Sequence, residues 1–191
     1  MRKILAVAAA LTMGLAFGAS AQQKPLKVVV IYGKTGPLEA YARQTEAGFN
    51  LGLEYATKGK MEVAGRKIEV VFKDDQIKPD LAKAAAEQAF GDEKADIVVG
   101  TTSSAAALAM LPVAEEFKKV MIIEPAVADS ITGDKWNRYI FRTARNSSQD
   151  GLAGAVTLSG DISIATLAQD YAFGRDGVAS MKDALAAVGS K

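Results

Sequence analysis

The sequence contains no cysteine, no histidine and a single tryptophan among its 191 residues. Cysteine sulfur and histidine nitrogen are common ligands of zinc and other transition metals, so their absence argues against such a site. It also excludes nucleophilic catalysis by a Ser-His or Cys-His pair. The 23 basic and 22 acidic residues nearly cancel, unlike the basic surface of a nucleic-acid-binding protein. We therefore expect no catalytic residue, no metal, no cofactor and no nucleic-acid partner.

The first 21 residues have the features of a secretory signal peptide. Met1-Arg2-Lys3 is basic, residues 4–18 are apolar and rich in alanine, and Ala19-Ser20-Ala21 is a small-residue cleavage site. A retained membrane anchor is the alternative, but the apolar stretch is shorter than the roughly 20 residues that span a bilayer. We predict a signal peptide at 1–21 and export of the remaining chain.

Strands and helices are predicted to alternate after residue 22. Continuous apolar runs indicate buried strands, and apolar residues spaced by three or four indicate helices. The predicted strands are 27–32, 67–72, 96–100, 120–124, 138–143 and 162–168, and the predicted helices are 39–57, 79–89, 103–117, 147–158 and 174–187. The packed face of the first helix is assigned to Tyr41, Thr45, Phe49, Leu53 and Ala56. This alternation predicts an α/β fold, a doubly wound parallel sheet with helices on both faces.

Ligands of such sheets bind where strands end and helices begin. The stretch Thr101-Thr102-Ser103-Ser104 occupies one of these places, between a strand that ends at Gly100 and an alanine-rich helix. Ser103 or Ser104 can cap that helix by accepting a hydrogen bond from a backbone N–H. The remaining N–H groups would attract an anion such as a carboxylate. A cap without a ligand is the simpler alternative.

Two other patterns suggest chemistry less strongly. Asp74 and Asp75 could form a metal site or a carboxylate pair, but adjacent residues of an extended chain point to opposite sides. Hydrogen bonding at a strand end and turn is therefore favoured. The segment 33–36 lacks the spacing of a phosphate-binding loop, and no G-x-G-x-x-G follows the first strand.

Six segments in order resemble a known family. They are KVVVIYGKTGPLEAYARQTEAGFNLGLE, VVFKDDQIKPDLAKAAAEQ, DIVVGTTSSAAALAMLPVAEE, IIEPAVAD, YIFRTARNSSQDG and DYAFG. Together they resemble the type I periplasmic solute-binding proteins of ABC transporters, in the branched-chain amino-acid (Leu/Ile/Val) binding group. The resemblance implies a periplasmic, non-catalytic protein. It would bind a small carboxylate-bearing ligand, an amino acid or an organic or aromatic acid, between two lobes and deliver it to an inner-membrane permease.

The resemblance also implies which residues contact the ligand. Ser104 would hold the carboxylate with Ser103 and Thr102 beside it, and an aromatic side chain would cover the ligand. The remaining implied contacts are Tyr41, Ala126, Val127, Ala128, Ser147 and Phe173. Amino-acid binders of this family have a hydroxyl where Ala128 stands and an acid where Ser147 stands. Because a buried ammonium needs acceptors, we expect an acid without an α-ammonium to be preferred, unless Glu124 supplies the acceptor.

The resemblance divides the chain into lobes. Residues 22–145 would form an N-terminal lobe that is incomplete without later sequence, and 146–191 the beginning of a second lobe. Family members are roughly twice as long, so the sequence resembles a C-terminally incomplete copy. A sensory ligand-binding domain of the same fold is an alternative function. A secreted hydrolase would need a G-x-S-x-G elbow and a histidine, and the sequence has neither.

Overall fold

The computed structural model describes residues 23–158 and 163–189, so the predicted signal peptide lies outside the described residues. The strands are β1 Leu26–Tyr32, β2 Glu62–Val63, β3 Arg66–Asp74, β4 Ile97–Gly100, β5 Val120–Ile123 and β6 Ile140–Arg142. The helices are α1 Glu39–Thr57, α2 Pro79–Gly91, α3 Ser104–Phe117, α4 Ser147–Thr157 and α5 Ala172–Ala187, with a 3-10 turn at Asp129–Ile131. Within the described ranges, the helices are too short or too polar to cross a bilayer.

The strands form one six-stranded sheet in the order β2-β3-β1-β4-β5-β6. All neighbours are parallel except β2, which pairs antiparallel with β3. Strand β1 lies between β3 and β4, with Val29 opposite Val71 on one side and Val98 on the other. The chain therefore winds away from β1 in both directions, which confirms the predicted α/β fold with a parallel sheet.

Helices cover both faces of the sheet and define two clusters of buried side chains. Helices α2 and α3 pack on the face that presents Val29, Ile31 and Val98. Helix α1 packs on the opposite face, against Val30 and Tyr32. Because both faces of β1 are covered, its apolar run is continuous rather than alternating, as the sequence predicted.

The packed face of α1 differs from the predicted face at two residues, Tyr41 and Ala56, which are exposed. Ala42 is buried and Phe49 is partly buried against the sheet, whereas Tyr41 is 58% exposed. The prediction for Tyr41 was wrong because residues 42 and 49, which are about two helical turns apart, share the side that faces the sheet. Residue 41 is therefore turned away from the sheet.

The predicted sixth strand is wrong over residues 163–168, which have no regular secondary structure. A strand is stabilised by backbone hydrogen bonds to a neighbouring strand. No strand pairs with this segment in the described part of the chain, since β6 is the last strand of the sheet. Leu167 is fully exposed there, so an apolar run alone does not form a strand.

Helices α4 and α5 pack against each other after the sheet. A Cβ on Gly151 would lie 2.9 Å from the Ser180 carbonyl, so glycine permits the close approach. Asp129 joins this pair to the loop after β5, because its carboxylate accepts hydrogen bonds from the hydroxyls of Ser148 (2.7 Å) and Ser180 (2.6 Å). Burial alone would raise the pKa of Asp129, but these bonds outweigh it and lower the pKa.

Asp74 ends β3 and Asp75 follows it. Both carboxylates form hydrogen bonds at the strand end and turn, as the sequence indicated. Asp74 accepts hydrogen bonds from Lys34 N–H (2.9 Å) and the Thr35 hydroxyl (2.8 Å). Asp75 is fully buried and accepts from the Thr101 hydroxyl and from Ile77 N–H at 2.8 Å. Burial raises the pKa of Asp75 by more than these two bonds lower it. The two carboxylates thus point to opposite sides and connect the ends of β1, β3 and β4.

Helix α3 begins at a serine cap. Ser103 has extended backbone angles, and its Oγ accepts a hydrogen bond from Ala106 N–H at 3.5 Å. This bond satisfies one of the backbone donors that the first helical turn leaves without a carbonyl partner. The capping interpretation of the serine pair is therefore confirmed for Ser103.

We expect Asp75→Asn to remove the part of the fall in the free energy of unfolding at rising pH that Asp75 causes. Because the folded-state pKa is raised, the folded protein keeps this proton to higher pH than the unfolded chain does. The free energy of unfolding of the native protein therefore falls as pH rises from the ordinary aspartate range through the raised pKa. The asparagine does not titrate, and its amide can still bond Ile77 and Thr101. Urea unfolding across this range should show the free energy of unfolding of the variant rising relative to that of the native protein as pH rises. A difference between the two that does not change with pH would contradict the assignment.

We expect Ser103→Ala to lower the free energy of unfolding by about 1 kcal/mol, because the Ala106 N–H loses its acceptor. Ser103→Gly should cost less, a few tenths of about 1 kcal/mol, because glycine is itself a favoured residue at this cap position. Chemical denaturation of the three proteins at one pH measures both differences. Equal stability of all three would show that the cap has no energetic role.

Candidate functional site

The loop between β4 and α3 is held in place from both sides. Gly100 has φ +155°, and a Cβ there would lie 2.2 Å from the Ile31 carbonyl oxygen, so only glycine allows this approach. The Thr101 hydroxyl donates to buried Asp75. The Thr102 hydroxyl oxygen accepts from Gly33 N–H at 3.2 Å. These contacts fix the start of α3 against the carboxyl ends of β1 and β3.

Ser104 is the buried polar group of this loop that faces open space. Its side chain is 2% exposed, and its Oγ accepts a hydrogen bond from Ala128 N–H at 3.2 Å. No described residue accepts the proton of this hydroxyl. A buried hydroxyl with an unused donor is costly unless a partner is supplied. Ser104 therefore offers a donor to a molecule in the adjoining cleft.

That cleft has a volume of about 350 Å³ and opens at the carboxyl edge of the sheet. The loops after β1, β4, β5 and β6 and the residues around the start of α5 line it. Its lining residues are Pro37, Leu38, Tyr41, Thr102, Ser104, Pro125, Ala126, Val127, Arg145, Gln169, Tyr171 and Phe173. The volume falls within the usual range for a small-molecule site.

Three aromatic side chains give the cleft an apolar character. Tyr41 stands on α1, and Tyr171 and Phe173 flank the start of α5 with ring centroids 6.0 Å apart. Burial raises the pKa of the Tyr171 hydroxyl, and the nearby Tyr41 hydroxyl raises it further. Both tyrosines line the same cleft.

Six of the nine residues predicted from the sequence line this cleft: Tyr41, Thr102, Ser104, Ala126, Val127 and Phe173. The other three lie behind it. Ser103 caps α3. The Ala128 N–H donates to Ser104, and the Ser147 hydroxyl donates to the Val127 carbonyl at 3.2 Å. These three support the wall of the cleft rather than its surface.

The loop that carries Ala126 and Ala128 is held by Arg142. This guanidinium donates to the Ala128 carbonyl at 2.6 Å and to the Thr132 hydroxyl at 3.0 Å. Glu124, the residue considered as an acceptor for an ammonium, does not line the cleft, and its carboxylate accepts from the Thr143 hydroxyl at 2.7 Å. The loop after β5 is thus fixed by contacts on its far side.

Arg145, Gln169 and Tyr171 were missed by reasoning from the sequence. The signal was present, because all three follow predicted strands that end at Thr143 and Ala168, where ligand-contacting loops are expected. Charge and polarity alone did not distinguish them from exposed loop residues. In the described residues, we find no group of acidic side chains arranged to hold a metal ion.

A larger groove of about 830 Å³ lies on the other side of the segment 163–169. Its lining is mainly aliphatic, with Leu158, Ile164, Leu167, Val178 and Met181. It shares Gln169 and Phe173 with the cleft, and its described lining residues include no strand-end loop and no charged side chain. The cleft beside Ser104 is therefore the better candidate for recognition of a polar ligand.

Solved structures similar to this chain belong to ABC transporters. An ABC-type branched-chain amino acid transporter structure from Rhodopseudomonas palustris CGA009 is 68% identical over 87% of this chain and 45% of its own, with a TM-score of 0.75. A solute-binding protein of an ABC transporter from R. palustris BisB5, in complex with 3,4-dihydroxybenzoic acid, is 31% identical over 87% and 45%, with a TM-score of 0.76.

A Leu/Ile/Val-binding protein homolog from Brucella melitensis is 28% identical over 149 residues, which are 78% of this chain and 39% of the relative. The chain thus spans less than half the length of the relatives it matches. Residues 25–191 match the family described as periplasmic binding protein. With this match over most of its length and a parallel α/β sheet of the same kind, the chain belongs to the periplasmic binding protein family of ABC-type solute-binding proteins.

Proposed function

We propose that the chain is the ligand-holding part of an extracytoplasmic solute-binding protein. Its ligand is a small organic acid, most favourably an aromatic one, which the protein delivers to an ABC-transporter permease in the inner membrane. The observation that carries this proposal is the buried Ser104 hydroxyl, whose proton has no acceptor among the described residues and which lines an aromatic cleft.

The Ser104 end of the cleft suits a carboxylate. The start of α3 carries a partial positive charge from the aligned peptide dipoles, and its first backbone N–H groups lack carbonyl partners. One of these, on Ala106, is already bonded to Ser103. The others and the Ser104 hydroxyl are donors that an ionised carboxylate accepts without a basic side chain.

The remaining cleft surface suits an aromatic or apolar body. Tyr41, Tyr171 and Phe173 present ring surface, and Pro125 and Val127 add apolar contact. Aromatic side chains favour stacked or edge-to-face contact with another ring. The relative that holds 3,4-dihydroxybenzoic acid shows that this family accommodates such an acid.

An α-amino acid fits the cleft less well. None of the lining residues is acidic. The carboxylate of Glu124 and the hydroxyl of Ser147 do not line the cleft and are bonded to Thr143 and Val127. An ammonium brought into the cleft would lose its water without gaining a charged acceptor. This supports an acid without an α-ammonium, although the B. melitensis relative is named for leucine, isoleucine and valine.

Calorimetric titration with two ligands tests the ligand class. We expect 3,4-dihydroxybenzoate to bind at least about tenfold more tightly than leucine, because the leucine ammonium would lack an acceptor. The control ligand is 4-methylcatechol, which keeps the ring and both hydroxyls and lacks the carboxylate; it should bind weakly. Leucine binding that matches or exceeds the aromatic acid would refute the ligand class.

Ser104→Ala tests the carboxylate contact. We expect the affinity for 3,4-dihydroxybenzoate to fall at least about tenfold, because a hydrogen bond to a charged group is lost. Ser103→Ala is the matched control at the same helix end, and it should change the affinity less than about threefold because its hydroxyl is bonded to Ala106. Equal losses in the two variants would assign the effect to the helix end rather than to the Ser104 hydroxyl.

A further inference from the structure

Arg145 is the single charged side chain among the described residues that line the cleft. It follows β6 by three residues, in a loop separate from the start of α3. Its Nε donates to both carboxylate oxygens of Asp150, at 2.7 and 2.9 Å. Its two terminal nitrogens donate to no described residue. The guanidinium therefore has four N–H donors available to a molecule in the cleft.

The contact with Asp150 orients Arg145 more than it stabilises the fold. The side chains are 61% and 45% exposed, and ion pairs as exposed as this contribute little to stability. Because the contact is made through Nε, it restrains the plane of the guanidinium and leaves the terminal fork free. Such a fork matches the two oxygens of a carboxylate.

The cleft then has two separate groups of donors for oxygen. One is the Ser104 hydroxyl with the N-terminus of α3, and the other is the terminal fork of Arg145 in the loop after β6. No acidic side chain lines the space between them in the described part of the chain. A ligand with a single carboxylate satisfies one of these groups and leaves the other hydrated.

We propose that Arg145 is a specificity-determining residue that binds a second carboxylate, so that the cleft prefers a dicarboxylic acid over the matching monocarboxylic acid. This inference rests on the proposed function, because it assumes that small acids bind in the cleft. It adds the identity of the residue that recognises the far end of the ligand and the class of acid that it selects.

Titration of benzoate and terephthalate, which differ by one carboxylate on the same ring, tests the inference. We expect the native protein to bind terephthalate at least about tenfold more tightly than benzoate. Arg145→Met should weaken terephthalate binding by about the same factor and change benzoate binding less than about threefold, because only the diacid contacts the guanidinium.

Arg175→Met is the matched control. Arg175 forms an exposed ion pair with Asp170 across the same five-residue spacing, at 2.8 Å, but does not line the cleft. The two variants change the net charge equally, so a general electrostatic effect on anion binding would appear in both. Arg175→Met should leave both affinities unchanged within about twofold. Thermal unfolding of each variant checks that the fold is retained.

The outcomes separate the two proposals. Native protein that binds benzoate without preferring terephthalate overturns the role of Arg145 and leaves the proposed function intact. Equal weakening of both acids by Arg145→Met also overturns it, because Arg145 would then hold the sole carboxylate. Native protein that binds neither of these acids nor 3,4-dihydroxybenzoate would contradict the proposed function itself.

Discussion

The hydrogen bond from Ala128 N–H to Ser104 Oγ determines the geometry of the cleft. It spans 3.2 Å and joins the start of α3, which follows β4, to the loop that follows β5. Because the serine oxygen accepts from the protein, its proton is left to donate elsewhere. Arg142 donates to the Ala128 carbonyl at 2.6 Å. Ala128 is therefore held at both its N–H and its carbonyl. The structure thus positions a donor before any ligand arrives, which lowers the entropy lost on binding.

The four consecutive hydroxyl residues 101–104 have different roles according to the direction of their side chains. Thr101 and Ser103 turn into the protein, where they bond Asp75 and Ala106. Thr102 and Ser104 turn towards the cleft. The bend at Thr102 and the helix start at Ser104 set these directions. One short stretch can therefore cap a helix and line a binding site, and the two interpretations of its sequence do not compete.

Sequence patterns predicted the parts of the fold that depend on burial. The run from Val28 to Tyr32 is apolar because both faces of β1 are covered, and that signal is local. The segment 163–168 also contains apolar residues, but it has no neighbouring strand among the described residues, and pairing is not a local property. Tyr41 was assigned to the packed face of α1 because the period of a helix does not specify which of two adjacent residues faces the sheet.

The candidate site shows the same limit. Ser104 could be predicted from its place between a strand and a helix, and from the family resemblance. Arg145 follows a predicted strand end, but its position alone did not distinguish it, since its significance depends on Asp150 binding Nε and on its lining the same cleft as Ser104. Contacts between distant loops are set by the sheet order, which no short motif records.

A crystal structure of the protein with 3,4-dihydroxybenzoate tests the central claim most directly. The account predicts the carboxylate at the start of α3, with one oxygen within hydrogen-bonding distance of Ser104 Oγ and the ring beside Tyr41 and Phe173. A ligand bound elsewhere, or bound in the cleft with its carboxylate away from Ser104, would contradict it.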